Sequence, residues 1–544
     1  MTRTRQTRLL RVLALGLVTV AGRAFGLPAY GPLQVTGNVQ TQTLIRHPDW
    51  DQYQFIQNRN TLKLRMDLEA VRDGKLLDRA DVPGVRSTHL YLLYRGVYDS
   101  LYDIAPGGNL HDILGQRAGT IADLGGDTRD ALKFENTLRE AYVDIDLSAA
   151  PFSFRLGRQQ VVWGETDNFR MLDRANPLDM TWHQMYESWD DLRVPLWMVK
   201  ALWRLDQVGP LSEAFIETYW TPGDWYPAKQ SFLPQRPWGV SQVSPLNGLI
   251  GAGSPFGFTS LFRDTRLFRQ GDYSRDPGDN SQVGVRVSAM APQGVQFSLN
   301  YFYQRFAGDD GTNYAPQRAL TDPDDLKEAR RNNQLPAEFI APYVHTIGAS
   351  LNYSDEDYTG TVYRLETIYD MGIPFSDRAK PALSPLLRGR AFGVTKRDMW
   401  KGMLGFDRPT WIRTLNRTST FFLSGQFFWH YLIDRENTFV GNVDPSTPSN
   451  DKVRRWETIA TALLTTFYSG GTIVPTLSYA LDPVNSYNMY VGWTLDYFFT
   501  NELIGRIGQN YFLTAGHVPA FESWSLGGFN RGRSEALARL TYQF

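Results

Sequence analysis

The sequence predicts an all-β fold, a transmembrane antiparallel β-barrel of about eighteen strands with short periplasmic turns and long outer loops. Three observations lead there. Apolar and polar residues alternate with period two in runs of about ten residues, as in strands that face lipid on one side and water on the other. The connections between these runs alternate between two length classes. The chain ends on one more alternating run, Ala536, Ala538, Leu540, Tyr542 and Phe544, with Leu537, Arg539, Thr541 and Gln543 on its other face.

Composition narrows the class. The 544 residues are 42% apolar and 13% aromatic, an aromatic load that suits a wide sheet with interfacial girdles. Lys and Arg number 56 against 57 Asp and Glu, so there is no basic excess to attract a nucleic-acid backbone. With no Cys, thiolate zinc sites, thiol catalysis, disulfides and a lipoprotein anchor are excluded. Arg3, Arg5, Arg8 and Arg11 precede an apolar run over 12–21, and small residues offer cleavage after Ala24 or Gly26, the layout of a secretory signal peptide. That run is well short of the ~20 residues a helix needs to span a bilayer. Residues 1–26 are therefore expected to be removed, leaving 27–544 as the barrel.

The alternation assigns strands over 33–46, 53–70, 87–98, 132–147, 152–163, 194–206, 211–220, 281–291 and 293–306. It continues over 343–354, 358–370, 391–407, 417–433, 453–468, 471–480, 487–498, 503–513 and 535–544. In the second run Leu62, Leu64, Met66 and Leu68 alternate with Lys63, Arg65, Asp67 and Glu69, an apolar row backed by four charges. An even strand count puts both termini on one side, and the short turns at 148–151, 206–210, 291–294, 354–357, 469–471 and 500–502 fall on that side too. Connections 71–86 and 408–416 are long for inner turns and 481–486 is short for an outer loop, so sixteen strands also fit.

Parity places Lys63, Arg65, Asp67, Glu69, Asp144, Asp146, Glu213, Glu217, Arg286, Arg364, Glu366, Arg506 and Arg539 on the inner face. A dry core would not hold so many charges without close pairing, so the interior is expected to be water-filled or crossed by a mixed-sign network.

Two long connections stand out. The one at 164–192 far exceeds a hairpin and carries Glu165, Asp167, Asp173 and Asp179 among Arg170 and Arg174, bracketed by Arg158 and Arg193, a density suited to fixed ion pairs. Asn176 and Pro177 are expected to stop a short helix around 169–174. This loop either braces the wall or folds inward as a constriction or gate. In the second reading Arg170 and Arg174, about one helical turn apart, face the pore with Glu165 and Asp167 as partners. The connection at 221–280 crowds Trp225, Trp238, Phe256 and Phe258 among many Pro and Gly. These aromatics either pack the loop on itself or form an apolar platform for a hydrophobic ligand.

The run 157–179, GRQQVVWGETDNFRMLDRANPLD, resembles the central motif of the domain of unknown function 1302 family of proteobacterial envelope proteins, whose members are predicted outer-membrane barrels. The resemblance implies a place in the outer membrane of a Gram-negative bacterium and a part in the transport of hydrophobic molecules. The expected function is an outer-membrane channel for small molecules, with hydrophobic cargo favoured over a nonspecific polar porin and a barrel enzyme or structural barrel as a third class. Expected partners are membrane lipid, the assembly machinery that reads the terminal strand, a small hydrophobic substrate and periplasmic transport proteins. No cofactor, metal or catalytic residue is expected, because the seven His are scattered and neither HExxH nor GxSxG occurs.

Overall fold

The computed structural model describes residues 32–47, 53–105, 107–111, 117–123, 126–179, 182, 187–224, 269–270, 278–306, 317–332, 334, 337–381, 392–440, 453–483, 489–513 and 533–544. Its main sheet is a closed ring of eighteen antiparallel strands. The first nine are β1 (Leu33–Arg46), β2 (Gln54–Arg72), β3 (Val85–Asp99), β4 (Phe134–Leu147), β5 (Phe152–Gln159), β6 (Leu196–Val208), β7 (Leu211–Thr221), β8 (Gln282–Met290) and β9 (Gln296–Arg305). The second nine are β10 (Tyr343–Asp355), β11 (Thr361–Pro381), β12 (Phe392–Thr410), β13 (Phe421–Leu432), β14 (Trp456–Thr465), β15 (Ile473–Leu481), β16 (Met489–Phe498), β17 (Leu503–Leu513) and β18 (Glu535–Gln543). Each pairs with the next, and β18 pairs with β1 from Asn38 opposite Gln543 to Arg46 opposite Glu535. The count is eighteen rather than sixteen.

The two inner connections that looked too long are folded turns. Lys75–Leu76 pairs with Ala80–Asp81 and prolongs the β2–β3 hairpin. The β12–β13 turn is organised by buried Asn416, whose Oδ1 accepts from the backbone N–H of Thr418 and Ser419 at 3.0 and 3.1 Å. Its Nδ2 donates to Thr466 Oγ1 of the adjacent turn at 2.9 Å.

The two faces follow the sequence parity. Leu299, Ile347, Leu404 and Ile507, all in mid-strand, are each more than half exposed on the outside. Large aromatics mark both ends of this belt: Trp197, Trp220 and Trp456 toward the long-loop end, Trp203, Tyr353 and Tyr497 toward the turns. Such a belt with aromatic rims suits a bilayer rather than water. Phe152 of the turn-side rim stacks on Trp203 at 5.6 Å.

Most strand ends fall within four residues of the sequence reading, and two that differ have a local cause. β5 stops at Gln159 rather than 163, because Asn176 takes the place of a neighbouring strand. Its Oδ1 accepts from Val161 N–H at 2.8 Å and its Nδ2 donates to Gln159 O at 3.1 Å. β11 runs to Pro381 rather than 370, absorbing an irregularity between Asp370 and Ile373 while staying paired with β12.

The closing seam has its own device. Phe544 and Gly37 exchange backbone hydrogen bonds at 2.9 and 3.0 Å. A Cβ on Gly37 would lie 2.8 Å from the Phe544 ring and 2.3 Å from Lys63 O, so only glycine lets the terminal ring lie flat on β1. We therefore expect Gly37→Val, like removal of Phe544, to reduce the fraction of chain that reaches the closed barrel. Heat-modifiable gel migration measures this fraction, and unchanged yield in both variants would show that the terminal residue plays no part in closure.

Candidate functional site

The site grows from the connection between β5 and β6, residues 160–195, whose described residues 160–179, 182 and 187–195 pack inside the barrel rather than rising into an outer loop. Its apolar residues Val161, Trp163, Met171, Leu172 and Ala175 are buried in one cluster with inward-facing residues of the wall. These wall residues include Tyr219 of β7, Phe302 of β9, Ile368 of β11, Met403 of β12, Phe428 of β13 and Ile459 of β14. The Trp163 ring lies 5.3 Å from Tyr219 and 5.2 Å from Phe302, and its Nε1 donates to Glu217 Oε2 at 2.7 Å. Phe169 packs edge-on to Phe428 at 5.1 Å.

Small wall residues make room for this packing. A Cβ on Gly348 would come within 2.5 Å of Leu172 Cδ2 and 2.9 Å of Ile368. A Cβ on Gly284 would meet the Tyr219 ring at 2.2 Å and Trp163 at 3.0 Å. Glycine in a strand interior weakens the strand, and here Gly348 leaves the hole that Leu172 of the segment fills, while Gly284 leaves room for Tyr219 of the wall and the edge of Trp163.

Polar contacts pin the segment to the far wall. Asp167 pairs with Arg364 at 2.9 Å, and its N–H donates to Gln426 Oε1 at 3.2 Å. Glu165 accepts from Asn352, and its N–H donates to Glu366, which also accepts from Leu172 N–H at 3.2 Å. Asn168 Nδ2 reaches Thr461 Oγ1 on β14 at 3.3 Å. In a ring of eighteen strands β14 is nine strands from β5, so the segment reaches the opposite wall.

The strongest lock is ionic. Arg174 pairs with Asp370 and donates to Thr346 Oγ1 at 2.5 Å, while Lys401 Nζ lies 3.0 Å from the other Asp370 oxygen. Asp370 and Lys401 are fully buried. One carboxylate between two cations is tolerable in this dry place only because every charge has close partners.

The returning limb is tied to β2, β3 and β4. Asp191, in the short helical turn Trp189–Leu192, meets Lys63 at 2.7 Å and Arg95 at 3.6 Å. Glu187 pairs with Arg59, and Trp182 Nε1 donates to Glu135 at 2.5 Å. Burial works against the ionised Asp191, but Lys63 and Arg95 outweigh it and hold the carboxyl well below the usual carboxylate range. A depressed folded value contributes stability above the unfolded value of about 3.9 and loses it only as pH falls through the folded value. This anchor therefore stays intact through mildly acid pH.

Of the residues singled out in the sequence, Glu165, Asp167 and Arg174 touch the far wall. Asp173 and Arg193 pair with each other at 2.7 Å inside the segment. Three expectations are corrected. Arg170 is buried and bonded to the carbonyls of Asp173 and Asn176, so it is not a pore-facing partner of Arg174. Glu165 and Asp167 pair with β10 and β11, not with Arg170 or Arg174, because residues 169–174 form bends rather than a helix and never bring one turn over the next. Arg158 lies on the outer face with Leu156 and donates to the carbonyls of Pro195 and Leu138 at 3.1 and 2.7 Å, so it lines no constriction. Asp179 donates its N–H to Leu192 O at 2.7 Å, closing the base of the segment. Trp225, Trp238, Phe256 and Phe258 lie outside the described residues. Asp370, Lys401, Gly284 and Gly348 were missed, although inward parity marks the first two and glycine inside a strand marks the others.

The barrel and its crossing segment place the chain in a class. The family described as "Protein of unknown function (DUF1302)" matches residues 51–517, and the chain belongs to that family. No characterised protein matches it in sequence. Among solved structures it is similar to Pseudomonas aeruginosa OpdK with vanillate, at 7% identity and TM-score 0.44 over 94% of this chain and 98% of that one. It is also similar to Acinetobacter baumannii OccAB1, at 8% identity and TM-score 0.45 over 94% and 96%.

Replacing Asp370 by Asn leaves Arg174 and Lys401 facing a neutral amide, a loss of about 3–5 kcal/mol for a broken buried pair. Gly348→Val drives Leu172 from its hole. Both variants should loosen the segment while the wall still closes, read as faster proteolysis within 160–195 of a barrel that remains heat-modifiable. Native-like protection in both would show that these contacts do not hold the segment.

Proposed function

We propose that this protein is an outer-membrane channel for small solutes whose bore is set by the segment 160–195. The observation that carries this reading is the segment's course from β5 to the opposite wall at β14 inside an eighteen-stranded ring. A barrel of that size leaves an aqueous lumen unless something fills it. The wall that the far-wall contacts leave uncovered is polar: Asn38, Gln40, Thr541 and Gln543 on β1 and β18, with Arg506 held to Asp496 by two hydrogen bonds at 2.5 and 2.8 Å. That surface suits hydrated solutes. Location in the outer membrane is supported by the exposed apolar belt and its aromatic rims.

A second reading keeps hydrophobic cargo. It is favoured by the aromatic run at 225–268 of the sequence, which lies outside the described residues. The barrel itself is common to both.

In planar bilayers the purified protein should conduct KCl in discrete steps, and deletion of 165–180 should raise the step size severalfold if the barrel assembles. Identical steps in the native and deleted proteins would remove the segment from the conduction path. For the second reading, Trp225→Ala, Phe256→Ala and Phe258→Ala together should lower hydrophobe uptake by cells without changing KCl conductance. Unchanged uptake would leave the polar reading alone.

A further inference from the structure

On the turn side of the Asp191 anchor, the lumen wall of β2 to β5 carries an ordered row of side chains. Register sets Asp67 opposite Tyr91, Tyr91 opposite Tyr142, and Asp144 opposite Arg155. The Tyr91 and Tyr142 rings stack with centroids 4.8 Å apart and planes at 19°. Arg65 covers the free face of the first ring, its Cζ 5.0 Å from the centroid, and Arg155 covers the free face of the second at 4.1 Å. Four planar groups thus stand side by side along the wall, with their edges rather than their faces available.

Each guanidinium is oriented by one carboxylate. Arg65 gives its Nε to Asp67 at 2.6 Å, and Arg155 gives Nε and Nη2 to Asp144 at 2.6 and 2.9 Å. These pairs balance the charge of the row and fix which edge remains. Nη1 of both arginines and the hydroxyls of both tyrosines have no hydrogen-bond partner among the described residues, and none of these atoms is among the buried unsatisfied ones. Glu140, on the loop side of Tyr142, is occupied by Gln160 Nε2 at 3.0 Å. What the row offers the lumen is a line of N–H and O–H donors, held by stacking and ion pairing before any solute arrives.

A pre-set line of donors matches acceptor atoms, and best those carrying negative charge. We propose that Arg65, Tyr91, Tyr142 and Arg155 form a binding subsite for small oxyanions, carboxylates or phosphates, on the channel wall beside the crossing segment. The proposal deepens the channel reading and rests on it, since a solute reaches the row through the lumen. Bracing of the wall alone needs the stacked rings and the ion pairs but not the hydroxyls, and this difference separates the two roles.

The test uses Tyr91→Phe with Tyr142→Phe, which keeps the stack and removes only the two hydroxyls. Detergent-solubilised, heat-modifiable barrel is titrated by calorimetry with sodium phosphate, sodium acetate and, as a neutral control, glycerol. The native protein should bind at least one of the two oxyanions saturably and glycerol not at all, and the double variant should bind about tenfold more weakly. Arg155→Gln should also weaken binding. Equal affinity in native and doubly substituted protein, or no saturable oxyanion binding to the native protein, overturns the proposal. In bilayers, the bound oxyanion should reduce the native KCl current and spare that of the double variant. If a correctly assembled native barrel passes no KCl current, the channel reading fails, and the calorimetric comparison still decides the oxyanion site.

Discussion

Closure of the sheet is the constraint on which the rest depends. In hydrocarbon an unpaired backbone N–H or C=O costs several kcal/mol, so a sheet in a bilayer must have no edge. This chain meets that demand by pairing β18 with β1 and laying the Phe544 ring on Gly37. A ring of eighteen strands then has a lumen too wide for its own side chains to fill. The segment 160–195 answers that geometry, and the wall in turn carries features that receive it: the space beside Gly284 and Gly348 and the buried acid Asp370, which Arg174 of the segment shares with Lys401 of the wall.

The two halves of the lumen consequently differ in chemistry. Against β7 to β14 the segment builds a dry contact of Trp, Phe, Leu and Met, with ion pairs at its margin. Along β18, β1 and the turn-side half of β2 to β5 the wall is lined by Asn, Gln, Thr, Tyr and paired charges. The sequence expectation of a mixed-sign interior describes the second half, whereas the first is a packed core of the kind usually found between two layers of a soluble domain.

The fold was legible because a strand between lipid and water is written into the sequence as alternation. Leu62 to Leu68 against Lys63 to Glu69 is an imprint of two solvents and needs no knowledge of partners. Where the reading missed, a tertiary contact had replaced a strand neighbour. Buried Val161 and Trp163 flank exposed Val162 and so keep the alternation past the end of β5, but their surroundings are the crossing segment and the far wall. The strand assigned to 358–370 carries on as β11 past a bulge in which Gly372 takes a φ of 86°. In the site, the charged residues of the motif were visible and their partners were not. The sequence reading pairs Arg174 with Glu165 and Asp167 of its own loop, while its actual partner, Asp370, stands on a strand nearly two hundred residues further along the chain. Only register round the whole ring brings them together.

The central claim, that 160–195 spans the lumen from β5 to β14, is tested most directly by cross-linking, and the natural chain has no Cys to interfere. Asn168→Cys with Thr461→Cys replaces a side-chain hydrogen bond of 3.3 Å between the segment and the opposite wall. The account predicts a disulfide in most of the heat-modifiable barrel under mild oxidation, seen as a shift on non-reducing gels that reductant reverses. A correctly closed barrel with both cysteines free would contradict it.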